Sequence, residues 1–169
     1  IVQPENPLKQ ALNKIGFSRE DITHVIFSHL HFDHAGGATE LNQDGQPVPA
    51  FPNAEYFITE AQWKQANQPN ARDRASFLQA DFQPLQEAGL LQLIPENTII
   101  MNGISTYCVH GHTCGQQLVK LEDGDEALIY CSDLIPLKSH LQIPWIMGYD
   151  LNALLTLEEK TQFLAQADD

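Results

Sequence analysis

The sequence predicts a mixed fold, α/β or α+β, in which sheet layers are covered by helices. Three observations lead there. Short segments rich in β-branched and aromatic residues alternate along the chain with capped, amphipathic ones. Turn-forming runs such as Asp44-Gly45 and Glu122-Asp123-Gly124-Asp125 separate them. The composition, 43% apolar and 18% charged over 169 residues, suits one soluble domain with a sizeable core.

The first element is a helix over residues 7–15, with Asn6 as cap, Pro7 at the first helical position, Leu8, Ala11, Leu12 and Ile15 on one face, and Gly16 as terminator. Ser18-Arg19-Glu20-Asp21 has a capping-box pattern that predicts one short turn. Residues 22–28 read as a buried strand, and Ala35-Gly36-Gly37 as a flexible exit from the histidine-rich run at its end. With three prolines and Asp44-Gly45, residues 41–52 read as a surface loop. A strand over 55–59 leads into a helix over 59–67, broken at Asn67-Gln68-Pro69-Asn70 before a second helical region through Arg72, Arg74, Phe77 and Leu78. Residues 90–94, 98–101 and 104–109 have the length and residue types of strands; 116–121 and 127–131 form a hairpin. A last helix opens at Thr156, with Glu159 completing a capping box, and runs to the end.

Charge narrows the function. With 9 basic and 22 acidic residues the net charge is −13, which repels a phosphate backbone, so nucleic acid is not an expected partner. No apolar run reaches the roughly 20 residues of a membrane-spanning helix, so no membrane partner is expected either. Cys108, Cys114 and Cys131 are an odd number without a CxxC pair, which argues against a disulfide framework and a thiolate zinc knuckle; a reducing, cytoplasmic setting is expected.

The chemistry concentrates in His29-Leu30-His31-Phe32-Asp33-His34, where the strand over 22–28 ends. Imidazole and carboxylate donors packed this tightly suit zinc, iron, manganese or cobalt, and alternation in an extended segment points His29 and His31 the same way. One isolated histidine would read as a solvated side chain. Three with an aspartate read as a metal site.

This run resembles the HxHxDH motif of the metallo-β-lactamase superfamily. Val109-His110-Gly111-His112-Thr113 resembles that family's Gly-His-Thr loop, and Tyr130-Cys131-Ser132-Asp133 its strand-end aspartate. The resemblance implies an αββα sandwich and two zinc ions: one held by His29, His31 and His112, a second served by Asp33 and His34, with Asp133 bridging. Two-metal members use a further downstream histidine and begin with additional strands. By that resemblance residues 1–169 are expected to be a single domain incomplete at both ends, the central part of a larger one. His140 is a candidate for lining the pocket or for a core hydrogen bond, His110 for orienting a ligand from outside the donor set, and His24 reads as structural.

The resemblance also implies a metal-dependent hydrolase acting on a small molecule with a metal-activated water, Asp33 and Asp133 doubling as proton acceptors. His34 and Asp133 disfavour a true β-lactamase of the commonest zinc class, His31 disfavours a flavodiiron protein, and the acidic balance disfavours an RNA-processing nuclease. An ester or lactone substrate is expected, with the N-acyl-homoserine lactonase-like and methyl-parathion-hydrolase-like branch most similar; a glyoxalase II-like thioesterase or a phosphoester hydrolase is the alternative. Trp63, Phe77, Phe82, Trp145, Ile146 and Met147 are candidates for an acyl pocket, and Arg72 and Arg74 for an anionic group. From another class comes the expectation of a catalytically incompetent chain that binds metal weakly until a complementing chain or a homo-oligomer completes it.

Overall fold

The computed structural model describes residues 7–167 of the chain; the expected cap at Asn6 and the final two residues of the last helix lie outside them. The first helix, α1 (Pro7–Lys14), ends where Gly16 adopts a left-handed φ of +85°, a conformation glycine takes without steric cost. Of its expected apolar face Leu12 packs against the core, while Leu8 and Ile15 are largely exposed. The Ser18 cap forms as the sequence predicts: Asp21 Oδ2 accepts from Ser18 N at 2.8 Å and from its hydroxyl at 2.7 Å.

Three parallel strands, β1 (His24–Ile26), β4 (Glu55–Thr59) and β5 (Leu91–Ile94), make one sheet in the order β1-β4-β5. Residues 41–52, expected as a loop, instead contain a small hairpin of β2 (Thr39–Leu41) and β3 (Pro47–Pro49), followed by the buried Ala50 and Phe51. A two-stranded ribbon tolerates prolines because both of its strands are edges. The other sheet is an antiparallel meander of β6 (Ile99–Met101), β7 (Ile104–Val109), β8 (Gln116–Asp123) and β9 (Glu126–Tyr130).

The helices between and after the strands are α2 (Phe32–Ala35), α3 (Glu60–Asn67), α4 (Gln83–Glu87) and α5 (Ala153–Ala167). The expected second helical region through Leu78 is two tight 3-10 turns, Arg74–Ser76 and Gln79–Asp81. Asn70 Oδ1 accepts from the amides of Arg72 and Asp73, a local turn that competes with helix. The buried Phe77 and Phe82 stand five residues apart, a spacing that one helix does not place on one face. The last helix starts three residues earlier than expected. Its cap is Asn152, whose Oδ1 accepts from Leu155 N at 3.2 Å, and Thr156 is a buried residue of the first turn.

Two apolar clusters support this frame. One gathers Phe27, Leu30, Tyr56, Ile58, Phe82 and Leu85 around the parallel sheet. The other, smaller, joins Val109, Leu118, Leu134 and Phe163 between the meander and α5. They are joined by polar contacts: Gln117 N donates to Ser28 O at 2.7 Å, and the Thr59 hydroxyl to Gly115 O at 2.7 Å. No helix among the described residues is long and apolar enough to cross a membrane.

Candidate metal centre

The histidine run leaves the sheet directly after β1. His29 is fully buried; its Nδ1 lies 3.2 Å from the Ser28 hydroxyl, and its Nε2 has no partner. His31 is the cap residue of α2, its carbonyl accepting from His34 N and Ala35 N, so one helical turn carries Asp33 and His34 onward. This turn replaces the expected flexible exit: Gly36 is right-handed helical and donates to Phe32 O.

His112 enters from the loop between β7 and β8, and Asp133 from the 3-10 turn Ser132–Leu134 after β9. The groups converge. His112 Nε2 lies 3.2 Å from His31 Nδ1 and 3.3 Å from Asp133 Oδ2, while Asp133 Oδ1 lies 3.2 Å from His34 Nε2. His29 sits between, its ring centroid 4.6 Å from His31, 4.0 Å from His34 and 5.0 Å from His112. Two sets of potential ligand atoms result: His29, His31 and His112; and His29, His34 and Asp133. Asp33 belongs to neither, its carboxylate 60% exposed and 3.7 Å from His34 Nε2.

Electrostatics favour a cation here. Burial, reinforced by the neighbouring imidazoles, holds His29 well below the ordinary histidine value and lowers His31 to about 4, so both are neutral at pH 7. Burial acts to lower His34 too, but the hydrogen bond and charge of Asp133 outweigh it and raise His34. For Asp133, burial pulls upward and is overcome by His34 and His112, leaving the carboxyl below its usual value. The neutral His29 and His31 imidazoles beside the Asp133 carboxylate, with the buried His29 Nε2 left unpaired, fit a divalent metal in a way that solvated histidines do not.

Residues assigned no part in the site from the sequence hold the donors in place. The buried Asp150 accepts from His112 Nδ1 at 2.9 Å, which leaves the Nε2 lone pair facing inward. Both Glu159 oxygens accept backbone hydrogen bonds, from His110 N at 2.7 Å and Gly111 N at 2.9 Å, so this residue clamps the His112 loop instead of capping its own helix. Gln62 donates to the Thr113 hydroxyl and to Cys114 O from the start of α3. Asp150→Asn is expected to weaken divalent-metal binding about 10–100-fold, because an amide can present its NH2 to His112 Nδ1 and reverse the tautomer. Competitive titration against a chromophoric chelator measures this, and unchanged affinity would strip Asp150 of that role.

His110 faces away from these donors. Its Nδ1 accepts from Gly115 N at 3.2 Å, which places the proton on Nε2, directed at Glu96 3.5 Å away and near Cys108 Sγ at 3.8 Å. Glu96, Cys108 and His110 lie within ligating distance of one another, but that tautomer leaves His110 no inward lone pair. Burial, with the charge of Glu96 next, pushes the Cys108 thiol up to about 12; burial also raises Cys114 and Cys131. All three are poor thiolates. His140 lies in the turn Lys138–Leu141, in neither donor set and off the cavity wall. His24 stacks on Phe57 with ring centroids 5.6 Å apart.

A cavity of about 340 Å³ opens beside the donors, lined by His31, Phe32, Asp33, Arg72, Asp73, Ser76, His112, Asp133, Tyr149 and Leu151. None of the six apolar residues expected to form an acyl pocket lines it. Phe77 and Phe82 are core, Trp63 packs against that core, and Trp145 is exposed. Of the two arginines Arg72 lines the wall, donating to Gly148 O at 2.9 Å, and Arg74 does not.

The Metallo-beta-lactamase superfamily profile matches residues 3–165, nearly the whole chain. The chain belongs to that superfamily. A probable metallo-hydrolase of Mycobacterium bovis is 23% identical over 165 residues, covering 87% of this chain and 49% of the relative. An N-acyl homoserine lactonase of Bacillus cereus is 27% identical over 125 residues, covering 74% and 43%. The chain thus spans about half the length of the curated relatives it matches. Among solved structures, a probable metal-dependent hydrolase from Staphylococcus aureus superposes with a TM-score of 0.86 at 24% identity, over 98% of this chain and 57% of that one. The dizinc quorum-quenching lactonase AidC, in complex with a product, gives 0.77 at 24%, over 98% and 60%. These structural likenesses show the superfamily fold that the resemblance implied.

Proposed function

We propose that this superfamily member holds a binuclear metal centre and hydrolyses a lactone or related acyl ester. The observation that carries the reading is the convergence of four imidazoles and the Asp133 carboxylate around the unpaired, buried Nε2 of His29. His29, His31 and His112 would hold one ion and Asp33 and His34 would serve the second, with the two Asp133 oxygens facing His34 and His112 respectively. Zinc suits this thiolate-free donor set and the dizinc relative; iron, manganese and cobalt suit it too. When bound, the metal pair supplies Lewis-acid polarisation of the acyl group and a water acidified toward neutrality.

The chain's own residues do the rest. Asp150 keeps His112 in one tautomer, and Asp133 and Asp33 are placed to accept and return a proton. Phe32, Tyr149 and Leu151 offer apolar wall to an acyl chain, in a cavity of the size that small ligands occupy. The lactonase names among the relatives favour a lactone over a thioester or phosphoester.

Elemental analysis of the purified chain, with turnover of an N-acyl homoserine lactone before and after chelation, tests this. Bound zinc, turnover lost on chelation and a melting temperature lowered by metal removal are expected; 100-fold saturation above Kd corresponds to about 2.7 kcal/mol of stabilisation. A chain without metal would sink the reading, and bound metal without lactone turnover would sink the substrate. A second reading, weak metal binding without activity, is favoured by the exposed Asp33: with His29 given to the first ion, the second is left His34 and Asp133 as its close donors. It predicts about one equivalent of zinc.

A further inference from the structure

Gln116 and Gln117 stand side by side at the start of β8, both fully buried. Burying an uncharged amide without partners is costly, so two adjacent ones call for specific bonds. Alternation along the strand sends them to opposite faces. Asp133 N and Leu134 N both point at the amide end of Gln116, and two donors can be met only by an oxygen; this assigns Oε1 to the end of β9, accepting at 2.9 Å and 3.2 Å, while the backbone N of Gln116 donates to Thr113 O at 3.3 Å. Gln117 works with the opposite polarity. Its backbone N donates to Ser28 O at 2.7 Å and its Nε2 to Phe27 O at 2.9 Å, and its Oε1 has no partner.

The three segments gripped this way are those that carry the donors: Ser28 precedes His29, Thr113 follows His112, and Asp133 is held at its own amide. Ser132 has a left-handed φ of +45°, a backbone conformation that strains any residue other than glycine. The two bonds to Gln116 fall on the residues immediately after it, where they offset that strain and aim the Asp133 carboxylate.

We propose that the Gln116–Gln117 pair sets the spacing of the metal-binding segments, Gln116 as the acceptor that positions Asp133 and Gln117 as the donor that positions His29. The proposal rests on the metal-centre reading above, and both are positioning residues. It requires one substitution to act oppositely at the two places. Gln→Glu at 116 keeps an acceptor for the two amides, whereas at 117 it removes the donor and sets a carboxylate against Phe27 O. Gln→Met keeps the length and removes both functions.

The test is zinc stoichiometry and affinity of the full chain by competitive titration, with circular dichroism confirming the fold of each variant. Gln116→Met is expected to weaken zinc at the His34–Asp133 side about 10–100-fold while the His29–His31–His112 set still binds. Gln116→Glu should bind as the wild type does, and Gln117→Glu should lose affinity as Gln117→Met does. Wild-type affinity in Gln116→Met, equal loss in Gln116→Glu, or full binding in Gln117→Glu would overturn the proposal. If the methionine variants fail to fold, the two glutamate variants decide, since a packing role predicts the same effect from both. A wild-type chain that binds no zinc overturns the metal-centre reading itself, a failure visible before any variant is made.

Discussion

On the proposed lactonase reading, Asp133→Asn is expected to lower turnover by about 10²–10⁴-fold while leaving the chain folded. The carboxylate lies 3.2 Å from His34 through one oxygen and 3.3 Å from His112 through the other. Asparagine keeps the shape but exchanges one oxygen for a donor, so one of the two sides meets an NH2 group where an acceptor stood, and the negative charge between the imidazoles is gone. The fold is insulated from the change because the turn is held through the backbone amides of Asp133 and Leu134. Comparing kcat/KM with zinc stoichiometry and melting temperature separates loss of chemistry from loss of structure. Undiminished turnover would take Asp133 out of the mechanism.

The second large effect is on stability. A Cβ on Gly111 would lie 2.5 Å from Thr156 N and 2.6 Å from Thr156 Cα, and Glu159 fixes the glycine's own segment there through the amides of His110 and Gly111. Neither side can yield without opening the contact between α5 and the His112 loop. Gly111→Ala is therefore expected to cost on the order of 3 kcal/mol, and at the usual roughly 2–4 °C per kcal/mol for a chain of this length to lower the melting temperature by roughly 6–12 °C. Gly148→Ala, where a Cβ meets nothing within 4 Å, is the control and should change little. Equal melting temperatures for the two variants would show that the loop does not depend on that close approach.

Some of this was legible in the sequence because the signals are local. The strand over 55–59 and the hairpin turning near Gly124 combine strand-type runs with turn residues, and they formed where expected, the hairpin with a longer first strand. The His29–His34 run announces itself because donors stand within six residues of one another. His112 and Asp133 were reached through the family resemblance, since a lone histidine or aspartate carries no signal. The positioning residues were not legible for a related reason. Asp150 acts on His112 across 38 residues and Glu159 on the same loop across 48 and 49, and in sequence each resembles a solvated acid. Thr156 and Glu159 even carried a misleading local pattern, a capping box that tertiary contacts overrode in favour of Asn152. The apolar pocket residues failed because hydrophobicity marks core and cavity wall alike, as the fully buried Phe82 shows.

The separation of the apolar residues into two clusters, bridged by glutamine, threonine and histidine contacts, bears on how the molecule comes apart. Where hydrophobic contact is interrupted, cooperativity has to be carried by the polar seam, and the candidate site is that seam. With cation bound, the halves should melt as one calorimetric unit. Stripped of it, the smaller cluster around Val109, Leu118, Leu134 and Phe163 should exchange its amide hydrogens first, with the van't Hoff enthalpy falling below the calorimetric one. In such a molecule the ion that serves the chemistry would also decide whether there is one folding transition or two.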